Sequence, residues 1–253
     1  MVKLVNTPEF AIPVGDGLHV NARLSGSAPK SVLLFIHGLG GSKDELLPYE
    51  IARHFSPSWA VLRFDLYDWS RGTRDLIDCT LATHAADTEK VIAWARQQGF
   101  TNIFLIGHSY GGLTALMVGR QDVAGVVLLD PTHPKSKIFN KEGLTPLPEI
   151  AAYWMRPGVG HVVSQAQLEE FEALKVDQLL QNYRTPTLVC SAGKGVLTET
   201  NHDYWKRLHD QGCKASFTKV SQADHSFNDD RDRALLFRSM GTWLWDQTLP
   251  DEA

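Results

Sequence analysis

Five short runs in this 253-residue chain are apolar on both sides of the backbone: Ser31 to Ile36, Ala60 to Phe64, Asn102 to Ile106, Gly125 to Leu129 and Thr187 to Cys190. A strand with one wet face alternates apolar and polar residues, so runs of this kind fit interior strands covered on both faces, as in a parallel sheet. Helical stretches lie between them: Thr83 to Gln98, stopped by Gly99, then Thr200 to Gln211, stopped by Gly212, and Arg231 to Trp245. Alternating strand and helix predicts the α/β class, and the right-handed crossover rule restricts its topology. The first thirty residues read as an antiparallel pair, Phe10 to Val14 and Leu18 to Leu24, joined by the turn Gly15-Asp16-Gly17.

A chain of this length can bury a large core and still form one domain, here 1–253. One stretch breaks the alternation. Residues 131–185 hold Pro131, Pro134, Pro146, Pro148 and Pro157 and then an amphipathic segment from Ala166 to Leu180. An excursion of that length at the carboxyl end of a sheet predicts a cap or lid over a site. The formal charge of −4, with Lys and Arg scattered, argues against a nucleic-acid partner. Cys79, Cys190 and Cys213 are odd in number and widely spaced, which predicts reduced thiols, no structural zinc and a cytoplasmic protein. No secretory h-region and no membrane span are predicted. Nothing in the sequence specifies an oligomeric state.

The chemistry concentrates in Gly107-His108-Ser109-Tyr110-Gly111, which follows one apolar run and precedes the helix-like Gly112 to Val118. Strand, Gly-x-Ser-x-Gly, helix is the context in which this motif signals a nucleophilic serine. The turn is tight enough that a Cβ two residues either side of the serine would strike the neighbouring strand or helix, which glycine avoids. The helix start also presents unpaired N–H groups to a developing oxyanion.

A serine hydroxyl needs a base, and imidazole titrates in the useful range. Of ten histidines, His225 lies in a loop between the predicted last strand, Ala215 to Val220, and the last helix, at the same sheet edge as the serine turn. The acid that orients it is read as Asp130, at the carboxyl tip of its strand, with Glu199 next and Asp203 third. Asp224 is discounted because neighbouring loop side chains diverge. Oxyanion donors are assigned to the backbone N–H groups of Tyr110 and Leu39, the latter in the loop His37-Gly38-Leu39-Gly40-Gly41-Ser42. His37, Phe139, Tyr153, Trp154 and Met155 are candidate substrate contacts. His133 and His161 show no metal-ligand spacing and read as polar surface residues, and Glu169, Glu170 and Glu172 as a solvated helix face.

Three segments in order, His37 to Gly41, Gly107 to Gly112 and Asp224 to Phe227, make the chain resemble the α/β-hydrolases over nearly its whole length. The resemblance implies an eight-stranded, mostly parallel sheet, helices on both faces and a cap after the sixth strand. It also implies a cofactor-free acyl-enzyme mechanism, while the candidate contacts Phe139, Tyr153, Trp154 and Met155 in the excursion point to a small or medium ester with an apolar portion. Most members carry the acid after the seventh strand, where this chain has Lys194-Gly195-Val196; a minority carry it after the sixth, which is Asp130. The expected activity is therefore that of a serine carboxylester hydrolase. A peptidase or amidase, a C–C hydrolase or lyase, and a low-turnover ligand sensor are the alternatives on the same scaffold.

Overall fold

The computed structural model describes residues 7–119, 122–136, 143–155 and 161–248. Its central sheet begins with the predicted hairpin. Strands β1 (Glu9–Gly15) and β2 (Leu18–Ser25) pair antiparallel, and Asp16 and Gly17 turn the chain with φ of 52° and 74°, the left-handed geometry of a hairpin that matches strand twist. The continuous apolar runs become β3 (Ser31–Ile36), β4 (Ala60–Phe64), β5 (Asn102–His108), β6 (Gly125–Leu129) and β10 (Thr187–Ala192), with β11 (Ala215–Val220) at the far edge. The order is β1-β2-β4-β3-β5-β6-β10-β11, parallel from β4 onward and antiparallel between β2 and β4.

The interior strands are mostly apolar on both sides because helices cover both faces. Along β3, Val32, Leu34 and Ile36 enter one core with Val91 and Ile92 of α2 (Leu81–Gln97) and Leu113 and Leu116 of α3 (Tyr110–Val118). The same core takes Tyr204 and Leu208 of α6 (Thr198–Asp210). Leu33 and Phe35 point the other way, toward Leu47 and Ile51 of α1 (Leu46–Phe55) and Leu236 and Met240 of α7 (Asp230–Asp246). The helix α2 starts two residues earlier than its apolar pattern predicts. Thr80 and Thr83 form a reciprocal capping box there, at 3.1 and 2.8 Å.

Between β6 and β10 lies the excursion. Its described part contains a three-stranded antiparallel sheet in the order β7 (Leu144–Leu147), β8 (Ala152–Met155), β9 (His161–Ser164), then α4 (Gln165–Ala173) and α5 (Val176–Leu180). The amphipathic stretch is thus broken at Leu174 and Lys175, both extended. Glu170 is not on a solvated face: its carboxylate takes the N–H of Leu81 and, at 2.9 Å, that of Ala82. It supplies acceptors where the first turn of α2 has none of its own and fastens the excursion to the main body.

Candidate active site

Strand β5 ends in a sharp reversal at Ser109, with φ 53° and ψ −120°, from which α3 departs. This is a rare backbone for a residue with a side chain, and such geometry clusters at functional positions. The flanking glycines explain how it is reached. A Cβ on Gly107 would come within 2.4 Å of the Gly111 carbonyl, and one on Gly111 within 2.3 Å of the Ile36 carbonyl at the end of β3. Ser109 N–H donates to the Leu129 carbonyl at 3.0 Å, tying the turn to β6.

Ser109 Oγ lies 2.9 Å from His225 Nε2, and His225 Nδ1 lies 2.6 Å from Asp130 Oδ2. The three residues come from different strand ends, 116 and 95 positions apart along the chain. Asp130 follows β6 directly, at φ 41°, and is fully buried. Its other oxygen accepts from the Ala192 N–H at 3.0 Å and from Asn201 Nδ2 at 2.5 Å. His225 is held from behind, where its carbonyl accepts from His108 Nε2 at 2.9 Å. Burial, reinforced by the neighbouring His225, pushes the His108 pKa down to about 3, so His108 stays neutral and serves as a hydrogen-bond donor. Asp224, next in sequence to His225, turns away and accepts from Asn228 N and Nδ2 at 3.0 and 3.1 Å.

The other acids weighed go elsewhere. Glu199 is exposed in the first turn of α6. Asp203 engages Arg207 Nε at 2.7 Å and His133 Nε2 at 3.2 Å. His133 is consequently not a surface residue: it is fully buried, with its ring 4.5 Å from that of Tyr204. His161 is also off the open surface, half-buried against Gly40, whose Cβ position its ring would overlap.

The loop after β3 lies across the serine, with a Gly38 Cβ position 2.9 Å from Ser109 Cβ. Leu39 is half-buried in that loop, and Tyr110 opens α3 on the other side, where N–H groups fall outside the helical ladder. Residues following β4 brace the loop one after another. Asp65 accepts from Lys43 N and Nζ, both at 2.6 Å; Leu66 N–H donates to His37 Nε2 at 2.9 Å; Tyr67 hydroxyl donates to the Gly38 carbonyl at 3.1 Å. Since Nε2 of His37 accepts, its Nδ1 carries the proton and donates to the Gly38 carbonyl at 2.8 Å. This corrects the reading of His37 as a substrate contact: it is buried and both its nitrogens are committed to backbone.

Of the remaining candidate contacts, Phe139 lies outside the described residues. Tyr153 is half-buried, Trp154 is exposed, and Met155 is buried in the main core with Leu144 and Val163. Thr132 was not signalled by any motif, yet its Oγ1 lies 3.3 Å from Ser109 Oγ. Asn201 and His108 were missed too, because their partners are distant in sequence. Among the described residues no cluster of three or more His, Cys, Asp or Glu could hold a metal ion, and no helix is long and apolar enough to cross a membrane. The three cysteines are free and buried.

A family model described as the alpha/beta hydrolase family matches residues 33–238. A Haemophilus influenzae protein provisionally named an esterase/lipase is 39% identical over 87 residues, which make up 34% of this chain and 28% of that relative. The chain thus matches little more than a quarter of the relative's length. Among solved structures, Est1E from Butyrivibrio proteoclasticus superposes with a TM-score of 0.79 at 19% identity, over 95% of this chain and 99% of that one. The esterase domain of a Rhodothermus marinus protein gives 0.71 at 22% identity, over 93% and 96%. At these identities the two structures speak to the fold alone.

Proposed function

The chain belongs to the alpha/beta hydrolase family, and from that premise we propose that it is a serine carboxylester hydrolase working through an acyl-enzyme intermediate. The observation that carries this reading is the line Asp130, His225, Ser109, with contacts of 2.6 and 2.9 Å. Asp130 keeps the proton of the imidazole on Nδ1, so the Nε2 lone pair faces the serine hydroxyl. Ser109 Oγ attacks the ester carbonyl as His225 Nε2 takes its proton. The carbonyl oxygen, now negative, is held by the N–H groups of Tyr110 and Leu39. One such donor is worth about 3–4 kcal/mol in the transition state. His225 returns the proton to the departing alcohol, water enters with His225 again as base, and the acid leaves.

The substrate reading is a small or medium ester with an apolar portion, under a cap formed by residues 131–185. Tyr153 and Trp154 are adjacent on β8 and so point to opposite faces of it; Tyr153, on the face that packs toward the main core, is the described aromatic residue offered for apolar contact. A peptidase would need a site for the substrate amine. Of the α4 acids weighed for one, Glu170 is occupied with the start of α2, which favours the ester reading.

Purified protein incubated with a panel of p-nitrophenyl esters and an aminoacyl p-nitroanilide tests this. Turnover of the esters, much faster than of the anilide and abolished in Ser109→Ala, is the expected result. Anilide turnover ahead of every ester, or ester turnover that survives Ser109→Ala, would replace the proposal.

A further inference from the structure

Thr132 is fully buried and fixed by its backbone on both sides. Its N–H donates to the Ser109 carbonyl at 2.9 Å, and its own carbonyl accepts from the Tyr204 hydroxyl at 3.0 Å. Its Oγ1 is thereby set 3.3 Å from Ser109 Oγ. His225 Nδ1 faces the Asp130 carboxylate, so Nδ1 carries the ring proton and Nε2 accepts from Ser109 Oγ–H. The single serine proton is then committed, and the contact with Thr132 has to run from the Thr132 hydroxyl to a lone pair of Ser109 Oγ.

We propose that Thr132 is a further catalytic residue that acts in the second half of the reaction, by hydrogen-bonding to Ser109 Oγ as that oxygen leaves the acyl group. The inference rests on the acyl-enzyme reading above. During acylation Oγ is the nucleophile and gives up electron density, so a donor to it brings no rate gain. During deacylation water has added to the acyl carbon. The bond from that carbon to Oγ breaks, its electron pair goes to Oγ, the carboxyl C=O re-forms, and Oγ takes the proton from His225 Nε2. Thr132 keeps its own proton throughout. Hydrogen bonds to an oxygen gaining negative charge shorten and strengthen, so the contact is stronger in this transition state than in the acyl-enzyme and speeds the step.

Stopped-flow release of p-nitrophenol from p-nitrophenyl butyrate, with intact-mass analysis of the quenched protein, tests this on wild type, Thr132→Val, Thr132→Ser and Thr132→Ala. Valine keeps the shape and the backbone bonds and removes the donor. The expected result is a kcat lower by about tenfold with KM lower in the same proportion, so that kcat/KM stays within about threefold of wild type. A burst of p-nitrophenol and a butyryl adduct on Ser109 should accompany it, and serine should restore deacylation. If valine does not fold there, alanine removes the same donor and is held to the same readings. A kcat unchanged in the folded variant, or kcat and kcat/KM falling together with no burst and no adduct, would overturn the role of Thr132. Loss of the hydrolase reading itself would look different: wild type would show no Ser109-dependent release at all.

Discussion

Asn201 donates its side-chain amide to Asp130 Oδ1 at 2.5 Å, which leaves Oδ2 for His225 Nδ1. The carboxylate is fully buried, and with the Ala192 N–H also on Oδ1 it has no rotational freedom left. An acid fixed in this way can hold an imidazole in one tautomer and one orientation.

Asp130→Asn should therefore reduce kcat by about 10³–10⁴-fold, because the amide can present its NH2 to Nδ1 and stabilise the wrong tautomer. Glu199→Gln, at an exposed position of α6, should leave kcat at the wild-type value. Steady-state ester hydrolysis by the two variants decides between the acids; the reverse pattern would move the acid to Glu199.

Ser109→Ala should bring ester turnover to background, a loss on the order of 10⁶-fold, since members of such a unit fail together and not additively. His225→Ala should fall nearly as far, and the double variant no further. Thermal unfolding should be close to wild type in Ser109→Ala. Activity surviving in either single variant would count against the assignment.

How much of this was readable beforehand depends on whether a feature is local. The elbow at Ser109 was legible because Gly107 and Gly111 answer to clashes within a few residues and one strand. The strand-end placement of Asp130 and the loop placement of His225 were legible because the β/α alternation sets which edge each faces. The sheet β7-β8-β9 was not: its strands are four residues each, one carries Pro146, and they lack the length that reveals a period. His37 and His133 look like polar side chains in loops, and only tertiary packing buries them. Asn201 and Thr132 have no local signature, since what defines them is the oxygen atom of another element.

The brace on the loop proposed to carry an oxyanion donor bears on both stability and chemistry. Lys43 and Asp65 form a buried ion pair at 2.6 Å, and Glu9 adds a contact at 2.8 Å. Burial works against the Lys43 ammonium, but hydrogen bonds to Asp65 and Glu9 and the charges of Asp65 and Asp44 outweigh it and hold its pKa above the ordinary value. Asp65→Asn leaves the ammonium with partial compensation from Glu9 and should cost about 3 kcal/mol, the low end for breaking a buried pair. Because Asp65 also holds Lys43 N–H, the loop carrying Leu39 should loosen. Affinity for an alkylboronic acid, whose tetrahedral adduct on Ser109 needs the oxyanion donors, should fall more than affinity for a neutral ester analogue. Equal losses for both would remove the link between the brace and the oxyanion site.

Acid sensitivity follows from two buried imidazoles. Burial pushes the pKa of His84 and of His108 from the ordinary 6.5 down to about 3. In the unfolded chain both groups bind a proton below pH 6.5, and in the folded chain they do not until about pH 3. The unfolded state therefore holds more protons across that window. Stability is full above pH 6.5 and is lost as the pH falls through it. At pH 5 each histidine should account for about 2 kcal/mol of lost stability relative to pH 7. His84 isolates the effect, because neither of its ring nitrogens has a protein hydrogen-bond partner among the described residues. Its ring lies 5.8 Å from that of Tyr67 and 5.5 Å from that of Tyr110, contacts a phenyl ring can keep. His84→Phe should thus hold its stability at pH 7 and lose about 2 kcal/mol less than wild type between pH 7 and pH 5 in urea titrations. An unchanged pH slope in this variant would mean that His84 is already protonated in the folded protein at pH 5, and that the acid sensitivity comes from elsewhere.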